Sequence, residues 1–129
     1  MPAARLGLGY AYAGIKRLVD VVGPSFAKEI FYTARQFTAE EARTMGLVNR
    51  IVPVAELEPY VRKYAATIAA NAPLTVKAAK MAINAATRDL DKRDLAAVQQ
   101  AVDACFASAD YREGRTAFME KRKPAFTGR

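Results

Sequence analysis

TAEEARTMGLVNRIVP, Thr38 to Pro53, reads as a capped short helix, a glycine stop and an apolar run closed by proline. Thr38 is a good N-cap, and Glu41 stands three residues on, where its carboxylate can reach back to the Thr38 backbone N–H. Ala42 and Met45 share one helical face, and Gly46 can take the left-handed conformation that ends a helix. Leu47, Val48, Ile51 and Val52 form an apolar run too short for a helix, expected to be extended and buried. Pro53 bars it from continuing as a central strand. Nothing in the stretch is chemically reactive, so pattern alone describes a helical module.

Upstream, Gly14 to Val22 places Ile15, Leu18, Val19 and Val22 on one helical face, with Lys16, Arg17 and Asp20 outside. Gly23 stops that helix and Pro24 opens the next at a first-turn position, with Phe26, Ala27, Ile30 and Phe31 as its buried stripe. Residues 1–13, MPAARLGLGYAYA, are small, apolar and glycine-bearing. Their glycines are spaced too irregularly for a phosphate-binding loop, and neither nucleotide fingerprint is present. The segment reads as loop or strand end packed closely against something else.

Downstream, Ala55 to Ala70 is expected to be a helix carrying Leu57, Val61, Tyr64, Ala65 and Ile68, with Pro59 tolerated in its first turns. Pro73 starts a helix to about Ala86, with Val76, Ala79, Lys80 and Ile83 near one side. Lys77 and Lys80 could meet an anion, although exposed helix lysines usually do nothing specific. Asp91 reads as the N-cap of a helix to about Ala107, bearing Leu95, Val98, Val102, Cys105 and Phe106. Asp110 with Glu113 repeats the capping pattern and opens a last helix to roughly Arg122, ended by Pro124. The expectation is six or seven helices and almost no regular sheet.

Composition sets the outer bounds. The 129 residues make one domain or part of one. With 52% of residues apolar, the figure is a globular one, and the Ala-rich, Gly-poor mix suits closely packed helices. The single Cys105 excludes an internal disulfide framework and fits a reducing, cytoplasmic compartment. With no His and one Cys, neither a zinc site nor a histidine general base is available. The net charge of +7 could serve nucleic acid, a membrane surface or a phosphate-bearing ligand. Much of it is local to the tail, in Arg112, Arg115, Lys121, Arg122, Lys123 and Arg129, and the plain reading is a solvated basic face. No apolar run approaches the ~20 residues of a membrane-spanning helix, and the start lacks the regions of a signal peptide.

Three blocks carry a family resemblance. LGLGYAYAGIKRLVDVVG, Leu6 to Gly23, looks like LG-x-x-P-x-x-G-x-x-RL-x-x-x-VG of the crotonase superfamily, the enoyl-CoA hydratase/isomerase family. AKEIFYTARQFTAEEARTMGLVNRIVP, Ala27 to Pro53, is similar to its A-x-EA-x-x-x-GLV-x-x-VVP segment. SADYREGRTAFMEKRKPAFTG, Ser108 to Gly128, resembles its closing D-x-x-EG-x-x-AF-x-EKR-x-P-x-F signature. The last two are specific, because several fixed positions recur in order. The resemblance covers nearly all of this chain but only about the second half of a family member. It implies a mainly α chain: the helical C-terminal region of the crotonase (ClpP/crotonase-like) fold, with little or no regular sheet. Residues 1–13 would be a remnant of the spiral-core active-site segment, and residues 14–129 the helical C-terminal and oligomerisation region.

The same resemblance implies chemistry on acyl-CoA thioesters in fatty acid metabolism, with two backbone N–H groups stabilising an enolate. The segments supplying that oxyanion hole, and one of two acid/base glutamates, would lie upstream of Met1. The other glutamate should follow the proline that Pro2 matches, and Ala3 stands there. An alanine cannot shuttle a proton, so no catalytic residue is expected and the chain by itself should be inactive. Without that carboxylate, ordinary hydration is disfavoured; isomerisation, thioester hydrolysis or other enolate chemistry stay open. Phe118 and Lys121 match positions that lie near the CoA nucleotide, often that of a neighbouring subunit, and their spacing of three would put them on one helical side. An aromatic face can cover adenine or line the acyl path, and an ammonium can meet a phosphate; Phe118 could equally be core and Lys121 a solvent charge. Tyr10 and Tyr12 are taken as packing residues.

The expected partners are therefore acyl-CoA as substrate, no covalently bound cofactor and no metal, and further copies of the chain in a trimer or hexamer, or a dimer of this portion alone. Two other functions compete. A basic helical nucleic-acid-binding module would explain the charge but requires a helix-turn-helix or continuous basic face, which is absent. A purely structural oligomerisation module needs no ligand at all. Neither nucleic acid nor membrane is expected as a partner.

Overall fold

The computed structural model describes residues 2–129; Met1, the first residue of the 1–13 segment, lies outside them. Among the described residues seven α-helices follow one another, with one 3-10 turn and no strand. They are α1 (Ala3–Leu6), α2 (Tyr12–Thr33), α3 (Ala39–Thr44), α4 (Val54–Ala69), α5 (Pro73–Ala86), α6 (Leu95–Ala107) and α7 (Ala109–Met119), the 3-10 turn lying at Leu90–Lys92. The mainly α expectation holds. The helices fall into two compact units, residues 1–55 and 56–129.

The first unit is built on the opening stretch. Thr38 Oγ1 accepts from the Glu41 N–H at 3.2 Å, and Glu41 Oε2 accepts from the Thr38 N–H at 2.8 Å, so both halves of the capping box form. Gly46 takes φ 78°, with its own N–H on the Arg43 oxygen and the Leu47 N–H on the Ala42 oxygen. That pair of bonds is the Schellman closure. Gly23, at φ 76°, breaks α2 into two helical segments where stop and restart were expected. The core of this unit is Val22, Ala27, Ile30 and Met45, with Leu18, Val19, Phe26 and Phe37 packed against it. Tyr10 meets Phe31 edge-on at 5.3 Å, while Tyr12 is exposed.

One expectation fails here. Leu47, Val48 and Ile51 are exposed rather than buried, and the run from Leu47 to Val52 makes no strand. An extended apolar segment needs a neighbouring strand or face to cover it, and the described residues offer none.

In the second unit α5 packs on α6, and α6 on α7. The side of α5 that faces inward is lined by Ala78 and Ala85, not by Val76 and Ile83, which are exposed. Small side chains let two helix axes approach closely, and that outweighs the larger hydrophobic residues. The cap of α6 is Asp94, whose carboxylate accepts from the Ala97 N–H at 2.9 Å; Asp91 sits in the preceding 3-10 turn. The cap of α7 is Ser108, accepting from the Tyr111 N–H at 3.0 Å, so Asp110 and Glu113 lie inside the helix, free for other work. α7 ends at Met119, three residues short of expectation. No residue of α4 is buried, and its apolar stripe Leu57, Val61, Tyr64 and Ile68 faces outward.

Candidate functional site

The tail signature from Asp110 to Phe126 divides into residues with an internal task and residues without one. Asp110, 3% exposed, accepts from the backbone N–H groups of Thr127 at 2.7 Å and Gly128 at 2.8 Å. The N–H groups of Ala109 and Asp110 donate in turn to the Arg129 oxygen. The tail therefore folds back along α7. Gly114 makes room for it: a Cβ there would stand 3.4 Å from the Phe126 ring. Ala117 is almost fully buried.

Glu113 closes the same fold from the other side. Its two oxygens accept from the Arg122 guanidinium at 2.6 and 2.9 Å, and Oε1 accepts from the Ala125 N–H at 2.8 Å. Arg122 also binds Glu120 at 2.6 Å. Arg122, then the Ala125 N–H, hold the Glu113 carboxyl down at about 2, well below the usual carboxylate range. Glu113 and Glu120 push the Arg122 guanidinium up in return.

Phe118 and Lys121 have no such task. Phe118 is 82% exposed, and Lys121 is exposed with no ion-pair partner among the described residues. They do not share a helical side as their spacing implies, because α7 has ended before Lys121. Instead Lys121 adopts the left-handed conformation, φ 55°, at the closing position of a second Schellman turn. Its N–H donates to the Phe118 oxygen at 3.2 Å, and the Arg122 N–H to the Ala117 oxygen at 3.0 Å. Glycine is the residue that closes such a turn without steric cost; here a lysine does it.

Phe118 borders a groove of about 700 Å³ between α5, α6 and α7. Ala78, Ala82, Val102 and Phe126 make it almost wholly apolar, and Arg115 supplies a cation at its rim. Phe106 and Tyr111 meet edge-on across the α6–α7 corner at 5.2 Å, with the Arg115 guanidinium 5.8 Å from the Tyr111 ring. The sequence marks Arg115 only as one of the basic tail residues and gives Tyr111 no role. Their signal was the sharp corner at Ser108, visible only once that residue is recognised as the cap. Cys105 also borders the groove, half-buried, donating to the Ala101 oxygen.

In the other unit, Arg35 binds Glu29 at 2.6 Å and Glu41 at 2.8 Å and lies over the Phe37 ring at 3.7 Å. Arg35, with the Thr38 N–H second, holds the Glu41 carboxyl down at about 2. This cluster ties α2 to α3 and leaves no cation to spare for a ligand. Ala3 lies in α1, 5% exposed, its oxygen accepting from the Gly7 and Leu8 N–H groups. It offers no titratable atom. Lys77 and Lys80 are exposed on α5 and do not border the groove.

The family model described as enoyl-CoA hydratase/isomerase matches residues 1–129. The chain is 40% identical to the crotonyl-CoA hydratase of Syntrophomonas wolfei over 125 residues, covering 97% of this chain and 48% of that protein. It is 34% identical to the methylmalonyl-CoA decarboxylase of Escherichia coli over 130 residues, covering 99% of this chain and 50% of that one. The crystal structure of an enoyl-CoA hydratase from Bacillus anthracis superposes with a TM-score of 0.83 at 36% identity, over 97% of this chain and 48% of that one. The chain spans about half the length of the curated relatives it matches.

Proposed function

This chain belongs to the enoyl-CoA hydratase/isomerase family and corresponds to the helical C-terminal part of its fold, and from that premise we propose that it supplies assembly surface and part of the coenzyme site to an enzyme acting on acyl-CoA thioesters. The observation that carries this is the division of the tail. Asp110, Glu113, Gly114, Ala117, Arg122 and Phe126 hold the tail against α7, whereas Phe118, on the border of the groove, and Lys121 are both exposed and take no part in that fastening. Lys121 does so at a backbone position costing a lysine about 1–2 kcal/mol. A strained residue with an idle ammonium is best explained by a ligand outside the chain. Coenzyme A fits: Phe118 offers a ring face to adenine or thioester chain, and Lys121 a charge to phosphate.

The acid/base side of the reading rests on Ala3. Residues 1–13 belong to the active-site segment of the spiral core, and at Ala3 that segment carries no carboxylate. Enolate stabilisation by backbone donors supplied elsewhere in the fold does not require one. Water addition does, so the favoured reactions are those that form or quench an enolate without a second glutamate at this position. A methylmalonyl-CoA decarboxylase among the similar proteins supports the view that this half of the fold serves more than one reaction. The chain alone is inactive in this reading, and the working enzyme is a cytoplasmic homo-oligomer.

The exposed stripe of α4 favours a second reading, in which this portion only assembles and binds nothing. Calorimetric titration with CoA separates the two. It is run on the chain alone and on the chain joined to a segment supplying the remaining half of the family fold. Binding by the joined protein is the expected result. No heat from either, with both folded, leaves only the assembly role.

A further inference from the structure

Resting on the reading that Lys121 meets the coenzyme, we propose that Glu113 and Arg122 are positioning residues for ligand binding: their two-pronged ion pair locks the left-handed turn at Lys121 and so aims its ammonium, with Phe118, at the ligand. The geometry is a turn held from both ends. On one side the Lys121 N–H is anchored on the Phe118 oxygen. On the other, Arg122 is fixed twice, by its backbone N–H on Ala117 and by its guanidinium nine residues back on Glu113. Glu113 Oε1 also takes the Ala125 N–H, so the chain leaving the turn is held as well. With both neighbours fixed, Lys121 cannot relax to the negative φ that a side-chain-bearing residue prefers. Of the anchoring residues only Phe118 borders the groove; Glu113 and Arg122 do not. Their carboxylate and guanidinium are spent on each other, on the Ala125 N–H and on Glu120, whereas Lys121 and Phe118 make no side-chain hydrogen bond or ion pair among the described residues. Arg122 suits this task better than lysine, because only a planar guanidinium grips both carboxylate oxygens at once.

The test compares Glu113→Gln, Arg122→Lys, Lys121→Ala and the double variant Glu113→Gln with Lys121→Ala. The state of the turn is read in this chain from the Lys121 HN–Hα coupling and the exchange rate of the Arg122 amide. CoA affinity is read from amide shifts during titration of the chain and of the joined protein. Glu113→Gln and Arg122→Lys should each release Lys121 from the left-handed region and weaken CoA binding about fivefold. In the Lys121→Ala background, Glu113→Gln should change affinity less than about 1.5-fold, because a residue acting through Lys121 has nothing left to position. An unchanged Lys121 coupling in Glu113→Gln overturns the proposal, as does an equal loss of affinity with and without Lys121. If Lys121→Ala leaves CoA affinity intact, or neither protein responds to CoA, the coenzyme reading falls, and the coupling still decides whether the clasp sets the turn.

Discussion

Two residues with the same backbone conformation make opposite predictions. Gly46 and Lys121 both close Schellman turns at positive φ, 78° and 55°. Gly46→Ala places a Cβ 3.6 Å from the Val21 oxygen, in ordinary contact, so its cost is conformational. It should lower stability by about 1 kcal/mol in denaturant unfolding. Lys121→Gly should raise stability by about 0.5–1 kcal/mol, the relief of strain less the added freedom of the unfolded chain, while abolishing the ammonium's share of CoA binding. A variant both more stable and poorer at binding marks Lys121 as retained for its ligand. Ala3 tests the chemistry. In the joined protein Ala3→Glu should raise crotonyl-CoA hydration by about 10²–10⁴, the usual worth of a positioned acid/base group. No gain would mean that the segment carrying Ala3 does not face the reacting carbon.

At the scale of elements, charged pairs at chain reversals do the fastening. Glu41 and Glu113 both stand at about 2, with Arg35 and Arg122 as the leading causes. A carboxylate whose pKa is lower folded than unfolded adds stability above its unfolded value, near 4.5, and loses it as pH falls toward about 2. Acid titration followed by tyrosine fluorescence should show the tail leaving α7 between those limits, and Glu113→Gln should remove that transition at α7 while keeping the one at α3. Helix positions were legible in the sequence wherever the punctuation was unambiguous: Pro73 to Ala86 stands as read, and the Thr38–Gly46 capping box and stop formed as read. Two caps lie at other residues than the sequence suggests. Asp91 and Asp110 have the right chemistry, but Asp94 and Ser108 are nearer the first turn each could satisfy, and an N-cap is decided by reach to a free N–H. Freed from capping, Asp110 takes the two tail N–H groups instead.

For the molecule as a whole, the surface is more informative than the core. No large side chain among the described residues is fully buried, and the helix with the clearest apolar stripe, α4, has it in the open. Leu57 is 52% exposed and Val61 53%. Faces of this kind bind something, and the chain spans about half the length of its relatives. Sedimentation of the chain alone should show concentration-dependent association, reduced by Val61→Asp with Ile68→Lys. Both positions are exposed, so thermal unfolding should stay within about 0.5 kcal/mol of the parent. Unchanged association would place the contact on another face.

The sequence by itself determined that this chain is helical, where most helices stop, and which family it resembles, because caps, glycine stops and 3.6-residue periods act over a few residues at a time. It also named Phe118 and Lys121, by their place in the tail signature. Only the tertiary structure decided which apolar faces are covered. It likewise buried Ala78 and Ala85 on α5 and left the larger Val76 and Ile83 exposed. Most of the tail signature proved to be a fastening, with Arg122, next to the left-handed Lys121, paired to a glutamate nine residues earlier. Those outcomes depend on which groups meet across chain reversals, and residue spacing within one helix carries no record of that.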